Sequence, residues 1–266
     1  MLKLAIFVSR NMTTIFTHAI TRDPGKAISN AISSKGLVPN FPSVKKQHNK
    51  YKLMLKSLGL AVYELKELPD FPDSLFVEDP ALLFNDNCVI LRPGIDSRFG
   101  ESKALESDIC TIFSNIFWVK SGKIEGGDIL RIGSHFIIGL SERTNKDGAT
   151  NLGKILKSLG ATVEISRTPK GVLHFKSECS LITNDTILAT ERLIKTGFFS
   201  NKYRLIKVPE GEELGANCLS INDYVLIPKG FHGVSELLSK EYKIKELDVS
   251  EMEKVDAGLS CMSLRW

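Results

Sequence analysis

Apolar residues recur along this chain in short runs bounded by Gly, Asn, Asp or Pro, the pattern of buried strands joined by tight turns. Leu4–Val8 reads as a first strand and Leu60–Leu65 as another, and Ala81–Phe84 with Cys88–Arg92 reads as a hairpin around Asn85-Asp86-Asn87. The signature returns at Phe117–Val119, at Ile129–Ile132 and Phe136–Leu140 on either side of Gly133, and at Thr162–Ser166. It returns again at Leu181–Ile182 and Ile187–Ala189 around Asn184-Asp185, then at Leu205–Val208, Cys218–Ile221, Tyr224–Ile227 and Ile244–Val249. Between these runs the apolar period changes to that of a helix. One helix is expected from a Ser43 cap to Gly59, and a second carries Leu105, Ile109, Ile112, Phe113 and Ile116 on one face. A third aligns Ala149, Leu152, Ile155, Leu156 and Leu159 before Gly160, and a fourth starts at Val234. Residues 10–43 show neither period and read as a long polar connection, the kind that serves as a lid or binding loop.

Strand, turn, strand, helix, strand is the recurring unit, which predicts a cyclic array of α/β modules. No Gly/Ser linker or break in composition divides the chain, so residues 1–266 are expected to form a single domain. A doubly wound sheet is the competing architecture, but no glycine-rich phosphate loop follows any strand.

Composition narrows the function classes. With 42% apolar and 25% charged residues the chain belongs among ordinary globular proteins. No apolar run approaches the ~20 residues of a membrane span, and Leu4–Val8 is too short for a signal-peptide core. A net charge of +4 is mild. The lysines of 45–56 alternate with apolar residues at helical spacing, the wet face of an amphipathic helix rather than a nucleic-acid patch. Cys88, Cys110, Cys179, Cys218 and Cys261 are scattered, with no CxxC or CxxH pair, which argues against a disulfide framework or a structural zinc site and for a reducing, cytoplasmic setting.

The chemistry gathers in four stretches. Cys261 lies between two serines near the chain end, among Leu259, Met262, Leu264 and Trp266. Alone, that segment is a closing strand with a small buried cysteine. His174, in Val172-Leu-His-Phe, sits in a β-like apolar run and alone is a core imidazole. Glu125-Gly-Gly-Asp128 is a tight turn, or a place where two glycines let the backbone approach a ligand, with Glu125 orienting an imidazole and Asp128 anchoring the loop. Glu78-Asp79 interrupts an apolar stretch, so at least one carboxylate is expected to be buried and to need a cationic partner.

Together these stretches resemble the guanidine-modifying enzyme superfamily, and within it the dimethylarginine dimethylaminohydrolases. The matching segments are Phe71–Pro80, Arg92-Pro-Gly94 with Ser97-Arg98, Ile124–Asp128, Gly139–Asn145, Leu173–Lys176, Ala216-Asn-Cys218 and Leu259–Leu264, in the same order over nearly the whole chain. The resemblance implies a five-fold pseudosymmetric α/β propeller with its active site on the central axis. It implies Cys261 as nucleophile, His174 as general acid and base, and Glu125 as the carboxylate beside it. Asp73, Glu78 and Asp79 match guanidinium-binding acids, and Arg98 and Arg143 match clamps for the substrate α-carboxylate. The backbone carbonyl of Val255 matches a contact to the α-amino group, and Ala31 falls where family members usually carry a lid leucine. No metal or organic cofactor is implied. The partner is a small guanidino molecule, with no nucleic acid and no membrane, and oligomeric state stays open, a homodimer among the options.

Arginine deiminases and amidinotransferases are the rivals within that superfamily. Deiminases place an aspartate two residues after the histidine, where this chain has Lys176. One carboxylate fewer suits a substrate that has lost N–H donors to methylation, because an unpaired buried carboxylate is costly. The rival from another class is a non-catalytic binding or regulatory protein on the same scaffold. It needs the acids and arginines but not Cys261, His174 and Glu125 together.

Overall fold

In the computed structural model, which describes residues 15–199 and 202–266, one β-α-β return is built five times. The strand expected at Leu4–Val8 lies outside the described residues. β1 (His18–Arg22) passes through α1 (Phe41–Ser57) to the parallel β2 (Ala61–Leu65). β3 (Ala81–Phe84) and β4 (Asn87–Ile90) form an antiparallel hairpin, and α2 (Glu101–Ile109) then leads to β5 (Asn115–Trp118), parallel to β4. β6 (Ile129–Ile132), β7 (His135–Leu140), α3 (Lys146–Ser158) and β8 (Thr162–Arg167) repeat the plan. So do β9 (Cys179–Thr183), β10 (Thr186–Ala189), α4 (Glu191–Ile194) and β11 (Arg204–Lys207). The fifth copy is β12 (Leu219–Ile221), β13 (Tyr224–Pro228), α5 (His232–Ser239) and β14 (Lys243–Leu247). After a short α6 (Ser250–Glu253), β15 (Leu264–Arg265) pairs antiparallel with β1, Ala19 facing Arg265 and Ile20 facing Leu264. The chain end thus supplies the inner strand that the first sheet lacks and closes a ring of five blades, the α/β propeller expected from the sequence.

Burial explains why the hairpins were legible. Their strands are covered on both faces, as in β10, where every residue is buried, so they read as continuous apolar runs. The outer strands β2 and β14 are largely exposed. Asn85, Gly133 and Asn222 turn three of the hairpins with φ of 53°, 60° and 50°, a left-handed backbone that Gly and Asn adopt most readily. The apolar core is a ring of five seams, each between neighbouring blades. Phe84 and Phe136 meet edge-on at 5.1 Å between the second and third, and Tyr51 and Leu55 of α1 pack with Leu219 and Leu226 between the fifth and first. A core arranged as seams leaves the axis itself to other groups.

The differences from expectation are local. β1 lies inside the stretch read as a polar connection; His-Ala-Ile-Thr-Arg is buried from Ala19 onward although it alternates poorly. α1 begins at Phe41, because the Asn40 side chain accepts from Ser43 N at 3.1 Å and Pro42 occupies the first turn, so Asn40 rather than Ser43 is the cap. α2 stops at Ile109, and Phe113 packs beside it from a turn. Among the described residues no helix is long and apolar enough to cross a membrane.

Every inner strand is preceded by a tight turn. Those turns are 76–80 before β3, Gly126–Asp128 before β6, Phe175–Ser177 before β9, Glu213–Ala216 before β12 and Ser260–Met262 before β15, the last four being single 3₁₀ turns. The pseudosymmetry therefore brings five irregular segments to one end of the axis.

Candidate active site

Asp79, Glu125, His174 and Cys261 all sit in or beside those axial turns, so residues up to 182 positions apart in sequence become neighbours. The closest contact is between His174 Nε2 and Glu125 Oε2, at 2.7 Å. Glu125 is fully buried, and its other oxygen accepts from Gly94 N at 2.8 Å and faces Arg143 Nη1 at 3.5 Å. Both glycines after it are needed. A Cβ on Gly126 would stand 1.9 Å from the Glu78 carbonyl oxygen, and one on Gly127 would stand 2.6 Å from the His174 ring. The turn therefore lies flat against the imidazole. Asp128 pins the far side, accepting from Phe175 N at 2.8 Å and from the Ser141 hydroxyl at 2.6 Å. Ser141 in turn accepts from the backbone N–H groups of Arg143 and Thr144, which fixes the loop that presents Arg143.

A cavity of about 30 Å³ opens beside these groups. Cys261, His174, Asp73, Asp79, Arg98 and Arg143 line its polar side, and Ile32, Phe76, Leu173 and Val255–Ala257 form the rest. Its electrostatics are strongly polarised. Burial pushes the Cys261 thiol up to about 12, with the Glu78 and Asp79 charges adding to the effect, so the resting sulfur is protonated. For His174 burial acts downward, but the Glu125 bond and the Asp79 and Asp128 charges outweigh it and lift the imidazole to about 9. Burial would raise Asp79, yet Arg98, His174 and the Gly127 N–H hold it at about 2. Asp73, which accepts from Ile32 N at 3.2 Å, is raised by burial.

Asp79, Glu125 and His174 bring one donor atom each within 4.8 Å of one another, a spacing a metal would accept. Those atoms are already committed to internal bonds, His174 with Glu125 and Asp79 with Arg98, and an imidazolium offers no lone pair. The donor set thus suits proton transfer.

Three sequence expectations fall elsewhere. Glu78 does not line this cavity; its carboxylate turns the other way, to Lys176 Nζ at 2.5 Å, Ser260 Oγ at 3.0 Å and Arg265 Nη2 at 3.4 Å. Lys176 goes with it, because 175–177 form a 3₁₀ turn and the two-residue alternation that would set Lys176 beside His174 does not apply. Ala31 is also absent from the lining, and the next residue, Ile32, takes the place expected of it. Arg98 is more encumbered than a free clamp, donating to Asp79 at 2.6 Å and to Glu101 at 3.0 and 2.7 Å. The Val255 carbonyl accepts from no described group. The apolar wall residues Phe76 and Leu173 were not named as site residues, although each lies within a stretch already singled out.

Comparison with known proteins identifies the family. A family described as arginine deiminase matches residues 114–196. The N(G),N(G)-dimethylarginine dimethylaminohydrolase of Pseudomonas aeruginosa is 34% identical over 256 residues, covering 95% of this chain and all of that protein. A structure of the Pseudomonas aeruginosa enzyme, a cysteine-to-serine variant in complex with citrulline, superimposes with a TM-score of 0.91 at 33% identity, over 95% of this chain and 100% of that one. The N-terminal domain of ArgZ, a cyanobacterial arginine dihydrolase, shares the fold with a TM-score of 0.80 at 17% identity, over 93% and 97% of the two chains. A third of its residues shared along almost the full length of an authentic relative, on one superimposable propeller, place this chain in the dimethylarginine dimethylaminohydrolase family.

Proposed function

We propose that this chain hydrolyses Nω-methylated arginines, asymmetric dimethylarginine and monomethylarginine, to citrulline and a methylamine, with Cys261 as nucleophile. The observation that carries the reading is the His174–Glu125 pair, 2.7 Å apart and opening on the cavity that holds the Cys261 thiol. The named activity of the Pseudomonas relative supports it.

The chemistry follows from the charges. A guanidinium carbon is a poor electrophile, and Asp73 and Asp79, by gripping its N–H groups, hold it against the sulfur. The arriving cation offsets the carboxylate charges that keep Cys261 protonated, so the thiol releases its proton to solvent as substrate binds. Each pKa unit of that fall is worth about 1.4 kcal/mol. The thiolate sulfur then bonds to the guanidinium carbon. As the tetrahedral adduct collapses, the C–N bond to the methylated nitrogen breaks and His174, an imidazolium at neutral pH, supplies the proton that lets the amine leave. Neutral His174 next removes a proton from water, whose oxygen attacks the S-alkylthiouronium carbon. The C–S bond breaks, the hydroxyl proton of the adduct passes to the leaving Cys261 sulfur as the carbonyl of citrulline forms, citrulline departs, and the first proton stays on His174. Arg143 and Arg98 receive the α-carboxylate and the Val255 carbonyl the α-ammonium group. Ile32 covers the site from a loop tied down by Ser34, whose N–H and hydroxyl donate to Asp256 at 2.6 and 2.7 Å.

The arginine deiminase match over 114–196 favours one rival, arginine itself as substrate. An assay of ureido product and released amine on asymmetric dimethylarginine, monomethylarginine and arginine separates the readings. Higher kcat/KM on the methylated substrates is expected. Preference for arginine would favour the deiminase reading, and no turnover of any would favour a binding protein.

A further inference from the structure

Both Nε and Nη2 of Arg98 donate to a single oxygen of Glu101, Oε2, at 3.0 and 2.7 Å, while Nη1 donates to Asp79. Nη2 also reaches the carbonyl oxygens of Phe76 and Asp73 at 3.3 and 3.4 Å. The second oxygen of Glu101, Oε1, is buried and no described group donates to it. A bare anionic oxygen in that position is expensive. A protonated carboxyl fits better, because its carbonyl oxygen keeps two lone pairs for the two Arg98 bonds while the hydroxyl sits on Oε1.

The charged groups around Glu101 point the same way. They are Arg98 from the turn before α2, and Asp73 and Asp79 from the segment before β3. Burial, with the two aspartates adding, pushes the Glu101 carboxyl up to about 7 despite Arg98. With Asp79 and Glu101 both ionised, the single charge of Arg98 is already over-balanced and repels a third carboxylate. Neutral Glu101 leaves one charge-balanced place for a ligand.

We propose that Glu101 is a proton-linked positioning residue, taking up one proton from solvent when the α-carboxylate of a substrate docks on Arg98. This rests on the reading of Arg98 as part of the α-carboxylate site. Once Glu101 ionises, the KM of a carboxylate-bearing substrate should then rise by up to about tenfold per pH unit while kcat does not follow.

The test is calorimetry on the full chain carrying Cys261→Ser, titrated near neutral pH with citrulline, whose side chain is uncharged. Buffers of different ionisation enthalpy report the protons taken up. Uptake is expected with citrulline and is absent with the analogue that lacks its carboxylate. Adding Glu101→Gln, whose amide imitates the neutral acid, should abolish the uptake. In the otherwise wild-type enzyme Glu101→Gln should flatten the rise of KM with pH for asymmetric dimethylarginine. Equal proton uptake with and without the ligand carboxylate, or with Gln at 101, would overturn the inference while leaving the function intact. If citrulline binds no better than its decarboxylated analogue, the α-carboxylate reading of Arg98 fails and the inference with it. The ligand comparison needs only the parent, so a Gln variant that misfolds does not remove the test.

Discussion

Two cavities lie back to back on the propeller axis and share one wall. The one holding Cys261 and His174 is about 30 Å³; the other, ringed by the inner strands, is about 150 Å³. The wall is built from pairs of residues one or two positions apart in sequence. Asp79 faces the small cavity and Glu78 the large one, His174 the small and Lys176 the large, Cys261 the small and Ser260 the large. In the large cavity Glu78 is paired with both Lys176 and Arg265, Arg131 adds a further positive charge, and much of the remaining lining is apolar, with Leu83, Leu130, Leu181 and Leu219. In the small one they are held apart, with the thiol pushed up to about 12, the imidazole up to about 9 and Asp79 down to about 2. On the proposed function, size therefore does not mark the chemistry on this axis. Opposed pKa shifts do, because acid, base and nucleophile need different affinities for one proton.

The comparison breaks most sharply at Cys261. Cys261→Ser should lower citrulline formation on the order of 10³-fold or more, since a hydroxyl beside the same acids is a far weaker nucleophile. Circular dichroism should be unchanged, because the swap alters one atom in a side chain that stays buried. Retained turnover would move the chemistry off this side of the wall.

Glu125→Gln is the next largest effect. His174 is raised in the folded protein, so its contribution to stability is fully present below its ordinary 6.5 and is lost as pH rises through about 9. Its acid form, which on the proposed mechanism delivers the proton to the amine, persists over the same window. Removing the Glu125 charge should shift the basic limb of kcat/KM down by about one pH unit or more and lower the rate. An unmoved limb would mean that Glu125 does not set the imidazole's proton affinity.

The smallest effect tests the other side of the wall. Lys176→Met should cost about 1–3 kcal/mol in urea unfolding, since Glu78 keeps Arg265 and Ser260 but loses its shortest bond. The ratio of kcat/KM for dimethylarginine over arginine should stay within about twofold, because Lys176 does not line the cavity that holds Cys261 and His174. A large change in that ratio would restore Lys176 to the specificity argument.

What the sequence displayed follows the same division. The inner hairpins stood out because strands buried on both faces leave unbroken apolar runs, and Cys261, His174, Glu125 and the two arginines stood out by their motif context. Which way each neighbour points was not legible. Glu78 and Asp79 are equivalent as letters, and the turn geometry of 76–80 alone sends them to opposite cavities. His174 and Lys176 looked like strand partners until the 3₁₀ turn at 175–177 separated them. Glu101 carried a readable sign, an acid three residues after Arg98 at a helix start, but its buried, unbonded oxygen is visible only in three dimensions. β1 was hidden because Thr21 and Arg22 are buried polar residues; Arg22 is satisfied by Lys66 O and Asp108, far from it in sequence.

The central claim is that carbon–nitrogen cleavage passes through a covalent bond to Cys261 in the smaller cavity. Acid-quenching the enzyme during turnover of asymmetric dimethylarginine, followed by peptide mass mapping, tests it directly. The account predicts a thiouronium-type mass increase confined to the Cys261 peptide, appearing before citrulline reaches steady state and disappearing when substrate is exhausted. An adduct on Cys88, Cys110, Cys179 or Cys218 instead, or steady citrulline release with no adduct at Cys261 on any quench time, would contradict it.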